Sequence, residues 1–235
     1  MIGVFVNFAG VVLGGLVGCL LKNGMSEKIN FAVSKGVALC VLVIGIMGAI
    51  TTSDQLLMIV CIVLGTLIGE VIGIEKGIEK LGDYAQRKLH GQGGFSEGFV
   101  SATLLFSVGS MAVVGSLDAG FSNDSSTLLA KSALDTVSAV MFASSFGAGV
   151  MLSAVPLTIY QGAIALLAVW IKPYLGPEII AEMKAVGSVL IIALGINLLD
   201  LMNGKKLRVA NMLPSMFLPI AYIPLYNLIM TLVKR

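Results

Sequence analysis

Residues 136–171 form an unbroken run without a charged side chain. As one straight helix at ~1.5 Å per residue the run would reach ~54 Å, well beyond the ~30 Å hydrocarbon core of a bilayer. A run of this length has to reverse within the membrane, so it encodes two passes, with Pro156 near its middle as the expected turning point. Lys131 and Asp135 sit just ahead of it, two opposite charges at the edge of an apolar stretch.

Further uncharged runs cover 1–21, 36–53, 55–69, 98–117, 185–199 and 209–233. Hydrophobic residues make up 57% of the chain and charged residues 12%, with a mean hydropathy of +0.99, outside the usual range of a globular protein. The expected fold is all-α: a polytopic membrane helix bundle of about eight transmembrane helices, forming a single transmembrane domain over residues 1–235. No Lys or Arg precedes Lys22, so the first run reads as a retained helix and not as a signal peptide.

Several function classes drop out at this point. A net charge of +2 gives no reason to expect a nucleic-acid partner. Cys19, Cys40 and Cys61 all fall in predicted spans, and the sole histidine, His90, stands in a loop, so a metal or other cofactor has no ligand set. Serines are plentiful, but no nucleophile has a base beside it, and no Gly-Lys-Ser/Thr phosphate loop exists. The chain is expected not to be an enzyme or an ATP-driven pump.

Basic residues are retained on the cytoplasmic side of short loops. Lys22, Lys28 and Lys35 mark the first loop as inside, Lys76, Lys80, Arg87 and Lys88 the third, and Lys205, Lys206 and Arg208 the seventh. Residues 51–54 and the loop with Asp118 and Asp124 lack them, which places both termini outside. Ile74, Ile78, Leu81, Ala85 and Leu89 recur at helical spacing among charges, so residues 75–89 are expected to lie along the interface as an amphipathic helix. Residues 90–98, with four glycines, read as a flexible loop. Pro214, Pro219 and Pro224 predict a bent or broken last span. Gly45-Ile46-Met47-Gly48 and Gly109-Ser110-Met111-Ala112, each followed by a turn with an Asp, hint at an internal repeat.

Gly10, Gly14 and Gly18 line one side of the first span, and Gly65, Gly69 and Gly73 one side of the third. Small residues every fourth position let backbones approach closely, either within the bundle or across a homodimer. Glu70 lies beside the second ladder, as a cavity carboxylate or an interfacial one. Lys131 and Asp135, spaced i, i+4, can pair along a helix, and their face continues through Ser138, Phe142, Ser145 and Gly149. The composition of Ser144–Gly149 is that of a helix that unwinds in mid-membrane, where freed amides and hydroxyls can bind an ion or solute. Serines bonded back to their own helix and glycines that only pack would give the same composition. Asn7, Gln161, Asn197 and Asn227 are candidates for hydrogen bonds between helices.

Several stretches, in order along most of the chain, carry a resemblance: Val6-Asn7 through Leu13-Gly14-Gly15-Leu16-Val17-Gly18; Leu64-Gly65-Thr66-Leu67-Ile68-Gly69-Glu70 with Glu75-Lys76-Gly77; Leu129-Ala130-Lys131-Ser132 with Leu134-Asp135; Phe142-Ala143 with Ser145; Ala185-Val186-Gly187; and Asn211-Met212-Leu213-Pro214. Together they resemble the YqgA-like family of bacterial multipass inner-membrane proteins. That resemblance implies a multipass protein of the bacterial cytoplasmic (inner) membrane that transports a small molecule, and it includes Asn7, Glu70, Lys131, Asp135 and Asn211 in the shared pattern. The expected function is therefore secondary transport or permeation of a small solute or ion, with Asp135, Lys131, Glu70, Ser138, Ser144, Ser145 and Asn7 as the binding set. The competing expectation is a non-transporting, oligomeric membrane scaffold. Expected partners are the lipid bilayer, the solute or ion, and a second copy in a homodimer.

Overall fold

The computed structural model describes residues 1–24, 26–88, 94–107, 110–202 and 205–233, and these are helical apart from short turns. In chain order the helices are α1 (Ile2–Gly24), α2 (Glu27–Ala49), α3 (Gln55–Ile72), α4 (Ile74–Lys88), α5 (Phe95–Ser107), α6 (Ser110–Phe121), α7 (Ser126–Phe146), α8 (Gly149–Leu152), α9 (Ala154–Leu166), α10 (Ala168–Ile171), α11 (Pro177–Leu199) and α12 (Pro219–Val233). A 3-10 segment, Val209–Phe217, leads into α12. His90 and the glycines of 91–93, with Leu89, Lys234 and Arg235, lie outside the described residues. Phe95–Gly98, expected in a loop, instead open α5, because Phe95, Gly98 and Phe99 are buried against the rest of the bundle.

Among the described residues, five helical runs are long and apolar enough to cross a membrane: Ile2–Lys22, Phe31–Ala49, Gln55–Ile72, Gly149–Leu166 and Pro177–Leu199. Two bent pairs raise the number to as many as seven: α5 with α6, at 63°, and the 3-10 segment with α12, at 42°. The expected eight is reached only if α7 also crosses. At 21 residues it is long enough, ~31 Å, but Lys131, Asp135 and its many hydroxyls leave it too polar to qualify by composition.

Close contacts fix the directions. Gly10 lies against Thr136 and Gly18 against Val140, so α1 and α7 run parallel. Gly15 lies against Met151 while Asn7 bonds Gln161, so α9 runs antiparallel to both. The chain therefore reverses between α7 and α9, and the reversal sits at Gly147, whose φ of 85° suits glycine, and not at Pro156. Pro156 falls in the first turn of α9, where a missing N–H removes no helical hydrogen bond.

Two more pairs complete the frame. α2 packs antiparallel on α11 through Gly45 and Gly48, set against Ile192 and Ser188. α3 packs on the 3-10 segment through Gly65 and Gly69, set against Ser215 and Asn211. α11 begins at Pro177, well before the uncharged run at 185, with proline in its first turn and Glu178 next to it. Glu182 and Lys184, charged and just ahead of that run, are therefore helical. The apolar core fills the space between α2, α5, α7 and α11, with Phe106, Phe142, Leu157 and Leu190 fully buried.

Candidate functional site

α7 starts beside Asp124, which accepts the Ser126 N–H at 2.9 Å; the Ser126 amide and hydroxyl hold that carboxyl below the usual carboxylate range. One turn further, Lys131 Nζ donates to Asp135 Oδ2 at 2.5 Å, an i, i+4 pair whose residues are only 5% and 6% exposed. Asn7 of α1, with no exposed surface, donates from Nδ2 to the same Asp135 oxygen at 2.9 Å and to Gln161 Oε1 of α9 at 3.3 Å. Four polar side chains from three helices thus form one buried cluster. Asn7 Oδ1 and Gln161 Nε2 have no hydrogen-bond partner in it.

The pair also opens onto a hollow of about 630 Å³ between α2, α5, α6, α7 and α11. Lys131, Leu134 and Asp135 form one wall, Ile44, Met47, Gly48 and Thr51 another, and Lys184, Ser188 and Ile191 of α11 a third. Leu105, Met111 and Ala112 complete the lining from the two sides of the α5–α6 bend. The hydroxyls of Thr51 and Ser188 donate to their own helices, at Gly48 O and Lys184 O, so only their lone pairs face outward. Chemically the hollow is an open, largely apolar groove with two amines, one carboxyl and weak acceptors, of a size to hold a small solute.

The other sequence-selected residues lie elsewhere. Ser138 is half-buried on α7. Ser144 donates to Met141 O at 2.8 Å, and Ser145 Oγ is buried without a partner at the α7–α8 break; neither lines the hollow. At that break Gly149 packs on Phe95 O and Gly98 on Phe146, so the unwound segment forms the joint with α5. Glu70 is half-exposed at the far end of α3 and accepts from Arg208 at 2.8 Å. Beside it Glu75 N–H donates to Asn211 Oδ1 and Ala210 N–H to Glu75 Oε2, a latch between α4 and the 3-10 segment. Asp135 and Glu70 do not share a cavity.

Gly10, Gly14, Gly18, Gly65 and Gly69 meet this chain's own helices, while Gly73 caps α3 in the left-handed conformation with nothing near it. The glycine faces on which a homodimer was expected are therefore filled from within. Among the described residues no three His, Cys, Asp or Glu side chains gather as a metal site.

Residues 2–223 match the family described as "Protein of unknown function (DUF554)". The chain belongs to this family. The DUF554 chain is 34% identical over 224 residues to "Uncharacterized protein YqgA" of Escherichia coli (strain K12), covering 93% of this chain and 94% of that protein. It is 29% identical, over the same shares, to "Uncharacterized membrane protein YdfK" of Bacillus subtilis (strain 168). No solved structure matches it. Its apolar helices and the membrane relative agree: this DUF554 chain is a membrane protein. Sequence reasoning missed the place of Lys184 in the hollow of this DUF554 protein, and with it the bonds from Thr52 and Ser53 to buried Glu182, at 2.6 to 2.8 Å. The signal was available in Gly176-Pro177-Glu178, a helix start eight residues before the apolar run.

Proposed function

We propose that this protein is a secondary transporter or permease for a small solute or ion, with its site at the Lys131–Asp135 pair. One observation carries the reading: two ionisable side chains, a lysine and an aspartate buried to 5% and 6% exposure, border an interhelical hollow large enough for a solute. Charge inside the apolar zone of a membrane is costly, by ~2.5–3.5 kcal/mol at a helix centre on insertion scales, and its usual setting is a pathway. The basic residues Lys22, Lys76, Lys206 and Arg208 border one end of the bundle, and the hollow is lined from the other half, by the end of α2 and the beginnings of α7 and α11. This supports a cytoplasmic-membrane protein with its N-terminus and the mouth of the hollow outside.

The purified chain in liposomes should move at least one of a panel of labelled inorganic ions, carboxylates and amino acids. Flux should disappear in Asp135→Asn and persist in Glu70→Gln, whose carboxylate is in an exposed surface pair. Wild-type vesicles that pass none of the panel would sink the reading. They would leave the scaffold alternative, in which the glycine ladders serve packing within the bundle and Asp135→Asn alters only stability.

A further inference from the structure

Asn7 Oδ1 and Gln161 Nε2 are an idle acceptor and an idle donor on two side chains with no exposed surface. Buried polar atoms without partners are uncommon and unfavourable. In this case they sit on the two residues that link Asp135 to the interior. A half turn of each carboxamide exchanges its oxygen and nitrogen. Asn7 would then offer Asp135 an acceptor in place of a donor, and Gln161 would donate to Asn7 where it now accepts. The first arrangement suits an ionised carboxylate. The second suits a protonated carboxyl, whose O–H needs an acceptor. Both keep the same two contacts, so the cluster can hold Asp135 in either charge state without separating the helices.

The charged groups facing Asp135 are few. Lys131 is on its own helix, and Lys184 of α11 lies across the hollow. From α1 and α9 come only uncharged Asn7 and Gln161. The lining from α2, α5 and α6 is apolar apart from Thr51 just beyond α2. Two ammonium groups against one carboxylate leave the chamber with one positive charge in excess, a poor place for a cation. If an anion draws Lys131 away, Asp135 becomes an uncompensated buried charge, and taking up a proton is the favourable outcome.

We propose that Asp135 is a proton site and that the hollow binds a small monoanion with an apolar body, a carboxylate or sulfonate, which takes over the Lys131 ammonium as Asp135 takes a proton. The step balances: hydronium in the hollow gives its proton to the carboxylate and leaves as water, while the anion replaces that carboxylate beside the ammonium. One proton and one anion are then held together with no net charge. Ile44, Met47, Met111, Leu134 and Ile191 supply the apolar wall for the anion's body.

With transport through the hollow as its premise, the assignment is tested in liposomes that enclose a pH-sensitive dye, with labelled lactate and labelled methanesulfonate outside. Methanesulfonate stays ionised in water and so does not leak through lipid as a free acid. Wild-type vesicles should take up both anions, acidify with one proton per anion and build no membrane potential. Asp135→Asn should lose the acidification. Infrared difference spectra of the wild type give a readout that needs no variant: methanesulfonate at constant pH should raise the carbonyl band of a protonated carboxyl. Anion entry without protons, absence of that band, or entry of labelled sodium ion in place of the anions would overturn the assignment and leave transport standing. If neither the anions nor sodium or labelled alanine enter, both fall.

Discussion

Replacing Lys131 with Met keeps most of the apolar stem and removes the ammonium. Asp135, 6% exposed, would then keep the Asn7 amide as its donor, at 2.9 Å. Removing one partner of a buried ion pair destabilises by ~3–5 kcal/mol, because the remaining charge is uncompensated. The hollow lets water reach one side of the carboxylate, which brings the expected value to about 3 kcal/mol, close to the insertion penalty for a single aspartate. Asp135→Asn leaves the lysine instead, and its flexible stem can carry the ammonium into the hollow, so about 1–2 kcal/mol is expected there. The double variant Lys131→Met/Asp135→Asn removes both charges together and should fall within about 1 kcal/mol of wild type. The cycle then yields a coupling of about 3–5 kcal/mol. Unfolding in mixed micelles titrated with dodecyl sulfate, followed by the fluorescence of Trp170, the single tryptophan, measures all four proteins. Additive losses, or a Lys131→Met loss below about 1 kcal/mol, would show that the carboxylate is already well solvated and remove the physical basis of the site.

Gly69→Ala places a Cβ 1.8 Å from Asn211 O, whereas Gly77→Ala meets nothing within 4 Å. The first should separate α3 from the 3-10 segment at a loss of more than about 2 kcal/mol, and the second should be neutral or stabilise α4 by about 0.5–1 kcal/mol, both read from the same titration. Glu182→Gln should weaken the tie from α11 to the α2–α3 loop by about 2–3 kcal/mol, since one of the two oxygens that accept from Thr52 and Ser53 becomes a donor; faster amide exchange at Ser53 is the measurement. Gly14→Leu should push α1 off α7, because even a Cβ there lies 2.4 Å from Thr136 O, and should abolish flux although Gly14 does not line the hollow.

Spans and their breaks were legible because lipid imposes long uncharged helices and punishes open backbone. The Lys131–Asp135 pairing followed from i, i+4 spacing on one helix. What did not follow was anything that depends on the mutual rotation of different helices. Glu70 and Asp135 look alike as carboxylates at the margins of apolar runs, yet one faces Arg208 at the exposed end of α3 and the other joins a buried polar cluster at the edge of the hollow. The reversal was assigned to Pro156 because proline is a helix breaker, whereas a proline in a first turn breaks nothing and Gly147 supplied the left-handed residue the turn needs. Glu182 is the reverse case: a charge just ahead of an apolar run gives no sign of lying buried in a helix, and its partners lie some 130 positions away in sequence.

The glycine ladder of α1 and the polar cluster belong to one device. Asn7 precedes Gly10 by three positions and Gly14 by seven, so all three share a helical face. Gly10 and Gly14 bring α1 down onto Thr136, against its hydroxyl at Gly10 and its carbonyl at Gly14, with no side chain of α1 in between. At that spacing a side chain as short as Asn7 reaches the carboxylate of Asp135, one residue earlier on α7, and a wider gap would leave the two apart or require water between them. Parallel packing matters as well, since it sets the start of α1 beside the charged part of α7 and not beside its apolar end. The antiparallel return of α9 then brings Gln161 to the same level. Small residues, often explained by helix packing alone, are here the condition under which a buried acid acquires an amide partner that can serve as donor or acceptor. That is the physical link between the fold of this chain and the proton chemistry assigned to it.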